Sequence, residues 1–440
     1  MSVSELEIRP ELDRSRGLTT EITDEEHPCA LNITIDHKVD GYHIKVLPHP
    51  AYAHLFSVTE TRLPITQAQL WGYVSDCTSV WRNRVVTYKT SFVNFFPFQE
   101  KTEKPLSLLG LRLPMVYSRM MEKLALAGRT LFVQIFRPTE RGYEEVQKIG
   151  DALEALSKIQ NLWIKITSRD FYAPWNLLYL ANDFDKPRRE GFWGYQHVIA
   201  HNPAENSQSR KIFKPKFDVA LHLDLEIDKQ PGDFKGITKV VQLLRSYETG
   251  ALAERNTRED FLNQLRKGTH EDFFYFCCHG LTEGDEGPGF GKSRLRLTDI
   301  RTEEEKEGEG QEEIGPGDVA VYMNGAKWTT RPIVFLNCCQ LTKMNSIFYE
   351  GFAATFLNHD AIAVIGPHIE IPTVFARDFA KAFFEEFFQG GRDRSIGHVL
   401  LKLRRQFLDT HENPLGLAYL LYSGADSYVQ SPVLRRNIQE

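Results

Sequence analysis

Two short apolar runs limit what this chain can become. Phe273–Cys278 reads FFYFCC and leads into His279-Gly280, and Ile333–Asn337 reads IVFLN and leads into Cys338-Cys339. Both runs are too short for helices, rich in aromatic or β-branched residues, and not interrupted by alternating polar positions. A parallel strand covered on both faces reads this way. In open α/β sheets the reactive side chains sit just beyond the carboxyl ends of such strands. A histidine and a cysteine 60 residues apart, His279 and Cys339, therefore form a candidate base–nucleophile pair. A second reading stands beside it, in which the cysteines are small core hydrophobes and His279 is a hydrogen-bonded strand-end residue.

The rest of the second half alternates strand and helix patterns around these runs. Phe217–Leu225 reads as a strand, with helical stretches at about 235–249 and 257–267. Arg294–Thr298 reads as an edge strand. After the cysteine run come a helix (about 345–358), the strand Ala361–Gly366 and a long amphipathic helix (373–389). In the last helix Ile396, Val399, Leu400, Leu403 and Phe407 recur at helical spacing and are predicted to face the core. Asn413–Ser423 reads as a mostly buried closing segment. Upstream, Val116–Gly128 is helix-like and closed by its glycine, Leu131–Phe136 is strand-like, residues 140–160 are helical and Leu162–Thr167 is a strand. The alternation predicts an α/β fold with a mostly parallel sheet sandwiched by helices. Residues 1–115 are set apart as a small accessory region of mixed, partly β structure. They include a hairpin over 31–47 that turns at Asp40-Gly41.

Composition removes several function classes. A formal charge of −6 and a pI near 6.2 give no general attraction to nucleic acid. No stretch of 18 apolar residues occurs, so no membrane span is expected, and the polar N-terminus lacks the apolar centre of a signal peptide. Six cysteines in 440 residues do not make a disulfide scaffold, and a reduced, cytoplasmic setting is expected. No metal or other cofactor is expected. Vicinal cysteines on a strand point to opposite faces, so each Cys-Cys pair offers about one ligand to any one point. Gly287–Ser293, GPGFGKS, is one residue short of a phosphate loop and precedes a strand pattern rather than a helix.

The chemistry of the candidate pair is that of a thiol nucleophile. An imidazole can draw the proton from a cysteine, hold the resulting ion pair and then protonate a leaving amine. Backbone N–H groups of Gly280 and Cys339 are the candidate oxyanion donors, and a glycine after the histidine allows close approach of substrate. Between the two cysteines, alternation assigns the inward place to Cys338, which continues the apolar run. Cys339 stands one step further out, beside polar Gln340.

At this point the residues carry a resemblance. CCHG at 277–280, FLNCCQL around 339 and AIAVIGPHIEIPTVFARDFAKAFFEEF after it resemble a CHAT-family, caspase-like domain. APWNLLY at 173–179 is similar to that family's PWE-L-L-Y element, and NPLGLAYLLYSG to its terminal segment. The resemblance covers roughly 120–425. It implies the fold of caspases and separases for residues 116–440, with His279 as catalytic histidine and Cys339 as nucleophile. It also implies a cysteine endopeptidase acting on a protein substrate and switched on by a separate activating or sensing protein. CHAT proteases occur in prokaryotic defence systems, beside CRISPR components or gasdermin-like pore formers. The rival reading within the same fold is a non-catalytic interaction module. Departures occur at Asn176, where the family has Glu, and at Gly366-Pro367-His368-Ile369, where it has Gly-Thr-x-Trp. An acidic insertion, 301–317, separates the two candidate strands; its residues 303–313 hold seven Glu against one Lys. It is expected to be solvated and regulatory or processed. In a caspase-like cleft a carboxylate at the pocket base favours Arg or Lys at P1. Glu370 is the candidate for that role, with Asp299 and Asp360 behind it.

Overall fold

A computed structural model of the chain describes residues 29–89, 96–109, 113–203, 211–229, 235–282, 293–299, 313–326, 328–338 and 347–436. Cys339 and residues 301–312 of the acidic insertion lie outside the described residues. The first strands are β1 (Leu31–Lys38) and β2 (Gly41–Pro48), which pair antiparallel around the expected turn, where Gly41 holds a φ of 122°. A short β3 (Glu60–Arg62) pairs with β2, and helix α1 (Gln67–Trp81) follows, capped by Thr66. Next come α2 (Leu113–Phe136), α3 (Glu144–Leu156), β4 (Trp163–Thr167) and β5 (Val198–Asn202).

The sequence reading fails at α2. Residues 113–136 form one helix, so Leu131–Phe136 is not a strand and Gly128 does not end the element. The glycine answers a packing demand instead. The backbone of Leu177–Tyr179 crosses the helix there, and a Cβ at 128 would lie 2.2 Å from the Leu177 carbonyl oxygen.

The second half supplies β6 (Ile212–Phe213), β7 (Val219–Leu223), α4 (Gly236–Arg245), β8 (Leu252–Glu254), α5 (Arg258–Lys267) and β9 (Phe273–Cys277). They are followed by β10 (His279–Thr282), β11 (Ser293–Arg296), β12 (Glu313–Ile314), α6 (Pro316–Met323) and β13 (Ile333–Leu336). The chain closes with α7 (Ile347–Asn358), β14 (Ala363–Pro367), α8 (Thr373–Phe387), α9 (Ile396–Asp409), β15 (Tyr419–Tyr422) and β16 (Tyr428–Val429).

Eleven strands make one sheet in the order β3-β2-β1-β4-β5-β15-β14-β13-β9-β7-β8. Most neighbours are parallel. Strands β14, β13, β9, β7 and β8 form one parallel block, and β1, β4, β5 and β15 form another. The antiparallel pairing of β14 with β15 joins the two blocks. The fold is thus mixed α/β with a large, mostly parallel sheet flanked by helices, as expected. Strands β1, β2 and β3 are continuous with it, because β1 pairs with β4 in the common sheet. Strands β10, β11 and β12 form a separate small sheet, so the strand expected at Arg294–Thr298 is β11, ends at Arg296 and does not edge the large sheet.

Strand alternation sorts the core into two layers. Phe273, Tyr275, Ile333 and Phe335 pack with Phe379, Phe383, Phe384 and Val240 of α8 and α4. Phe274, Phe276, Val334 and Leu336 pack on the other face with Phe261, Val319, Phe352 and Phe356 of α5, α6 and α7. Each buried Phe side chain contributes about 1.5–3 kcal/mol, so the apolar character of β9 and β13 is what holds helices to both faces.

Candidate active site

Strands β7, β9 and β13 are parallel neighbours, with Leu223 opposite Cys277 and Leu336 opposite Phe276. Their carboxyl ends therefore lie side by side on one edge of the sheet, and the residues that follow are Asp224, Cys278-His279 and Asn337-Cys338. The Asp224 amide donates to the Cys277 carbonyl at 2.9 Å, tying the ends of β7 and β9 together.

His279 is the first residue of β10, where the chain leaves the large sheet for the small one. It is buried at 4% exposure and pairs in register with Arg296 of β11. Its Nε2 lies 3.6 Å from Asp224 Oδ2, an ion-pair distance rather than a hydrogen bond, and Arg296 Nε lies 3.7 Å from the same oxygen. Asp224 Oδ1 accepts from the Glu226 amide at 3.2 Å. Burial pushes the Asp224 carboxyl up to about 6, with Arg296 acting in the opposite sense. Gly280 stands opposite Leu295 within the small sheet.

Asp224 is a residue that sequence reasoning misses. Its signal is present in VALHLD, where a carboxylate follows a buried parallel strand just as the histidine and the cysteines do. A strand read as Phe217–Leu225 hides it, because that range puts the aspartate inside the element, whereas β7 ends at Leu223.

Cys338 lies in the second core layer, fully buried, with its sulfur 3.4 Å from that of Cys278. Burial pushes the Cys278 thiol well above the ordinary value, which leaves this thiol a poor nucleophile. Cys29, Cys77 and Cys277 are likewise outside any disulfide. No group of three or more metal-ligating side chains occurs among the described residues.

Glu370 follows β14 on the same sheet edge. Its carboxylate meets Arg82, which follows α1, at 3.1 Å, and only 12% of the Glu370 side chain is exposed. Burial raises its pKa while Arg82 works to lower it. Asp360 sits before β14, at the opposite end of that strand, with a φ of 71°. Asp299 follows Thr298, whose hydroxyl donates to the Leu223 carbonyl and accepts from the Leu225 amide. That places Asp299 close in sequence to a contact with the end of β7. Asn176 is buried, and its Nδ2 donates to the Tyr419 carbonyl at 2.8 Å. The same carbonyl accepts from Arg404, whose guanidinium burial pushes down to about 9.

No protein-family model matches the chain, and no curated protein is significantly similar to it. Among solved structures, two of the Saccharomyces cerevisiae separase–securin complex resemble it, with TM-scores of 0.46 and 0.41 at 12% and 13% identity. The similarity covers 89% of this chain and 30% of the matched chain, so this chain spans less than a third of that length. No described helix is long and apolar enough to cross a membrane.

Proposed function

We propose that this chain is a caspase-like cysteine endopeptidase in which His279 is the general base, Cys339 the nucleophile and Asp224 the group that orients and charges the imidazole. The observation that carries this reading is the meeting of His279 and Asp224 beyond the ends of β9 and β7, with β13 alongside leading into the Cys338-Cys339 pair. With Nε2 turned toward a carboxylate, proton exchange with a thiol runs through Nδ1. The thiolate attacks a peptide carbonyl, and the imidazolium then protonates the leaving amine. Backbone N–H groups of Gly280 and Cys339 serve the oxyanion. A basic P1 side chain would have to displace Arg82 to reach Glu370. The CHAT resemblance supports a protein substrate, a separate activating protein and a role in prokaryotic defence.

The test is cleavage of candidate protein substrates, with and without candidate activators, by the intact chain and two variants. Cys339→Ala should abolish cleavage in a folded protein, because losing a nucleophile costs orders of magnitude in rate. Cys338→Ala should retain cleavage and lose about 1–2 kcal/mol of stability. Cleavage that survives in both variants refutes the reading.

A further inference from the structure

Asn337 is the one polar residue that closes the apolar run of β13, and its side chain is 1% exposed. Its amide makes three hydrogen bonds. Nδ2 donates to the Tyr275 hydroxyl at 3.0 Å and to the Ala376 carbonyl at 2.9 Å, and Oδ1 accepts from the Tyr419 hydroxyl at 2.5 Å. A backbone carbonyl can only accept, so the Ala376 contact fixes which end of the amide is nitrogen. The partners come from β9, the first turn of α8, and β15 on the far side of β14. Tyr419 is itself held, its ring stacked on Phe379 of α8 at 3.7 Å and 7°.

An apolar residue would fill this place without asking for partners. A buried amide is costly unless every group is satisfied, and a satisfied one fixes a single orientation. We infer that Asn337 is a positioning residue for the candidate nucleophile, setting the direction in which the chain leaves β13 and hence the separation of Cys339 from His279. The inference rests on the proposed dyad. Cys339 is two residues further along the chain, a span of about 7 Å at most. An imidazole lowers a thiol pKa only at close range, and a misplacement of about 1 Å can cost roughly 100-fold in rate.

The experiment measures alkylation of Cys339 by iodoacetamide against pH in the full chain, located by peptide mass spectrometry, together with kcat, KM and the thermal midpoint. Tyr419→Phe removes the shortest of the three bonds and keeps the stacked ring; Asn337→Leu removes all three. In Tyr419→Phe the alkylation midpoint should move up toward the ordinary thiol value of about 8.5, with kcat reduced about tenfold and KM unchanged. Asn337→Leu should lose about 100-fold in kcat. If Asn337→Leu does not fold, Tyr419→Phe decides. A lower thermal midpoint with an unchanged pH profile and kcat makes Asn337 a core residue only and overturns the inference. A wild-type chain with no fast-reacting Cys339 overturns the dyad, and the inference with it.

Discussion

Among single residues, Asp224 carries two opposed effects. Its carboxyl is 1% exposed and pushed up to about 6, so the ionised form that would support an imidazolium is held in the fold at a cost. An unfolded aspartate ionises near about 3.9. Between that value and about 6 the folded chain binds more protons than the unfolded one, and stability falls as pH rises through this window. Asp224→Asn should therefore raise stability at pH 7 by about 1–3 kcal/mol in urea unfolding. Activity should move the other way, falling about 10²–10⁴-fold. The wild-type kcat/KM profile should also carry an acid limb near pH 6 that the variant lacks. An Asp224→Asn variant that is both active and no more stable would remove Asp224 from the site.

Among the elements, the small sheet β10-β11-β12 holds the histidine. His279 and Arg296 are register partners, and Glu313 of β12 lies opposite Arg296. The Arg258 side chain donates to the Glu313 carbonyl at 3.3 Å. The end of the acidic insertion is thus built into the sheet that carries His279, and a deletion of 303–311 stops short of that sheet. Such a deletion should change basal cleavage or its response to an activator, because it removes most of the negative charge that seven Glu place between 303 and 313, in a segment tethered to that sheet. Identical kinetics in both states would make the insertion an idle loop.

Over the molecule as a body, the large sheet is two parallel blocks joined at β14 and β15. The β14–β15 ladder makes that join, and the Arg82–Glu370 pair adds a tie from the end of α1 to the loop after β14. A partly exposed ion pair is worth little by itself, about 0–1 kcal/mol. Removing only the arginine is different, because it strands a buried carboxylate at a cost of about 1–3 kcal/mol. Arg82→Ala should lower the urea midpoint more than Glu370→Gln does, and the double variant should fall short of the sum. Additive losses would mean that the two side chains are not coupled.

Local pattern alone is enough to specify the sheet core. Runs such as FFYFCC and IVFLN are apolar at every position or nearly so, and such a run has one stable use here, a parallel strand with helices on both faces. It is enough, too, to show that a histidine and a cysteine follow two such strands, since composition and order are local facts. What those positions meet was settled by the packing of distant segments. Gly128 reads as a helix end until the Leu177–Tyr179 backbone is seen to cross there. Asp224 gains its place beside His279 only because Val219 and Phe273, far apart in the chain, become register partners in β7 and β9. The amide of Asn337 is explained by hydroxyls at 275 and 419, which nothing in local pattern connects. Local periodicity encodes which face of an element is buried; which strands then lie side by side depends on how all the buried faces pack at once.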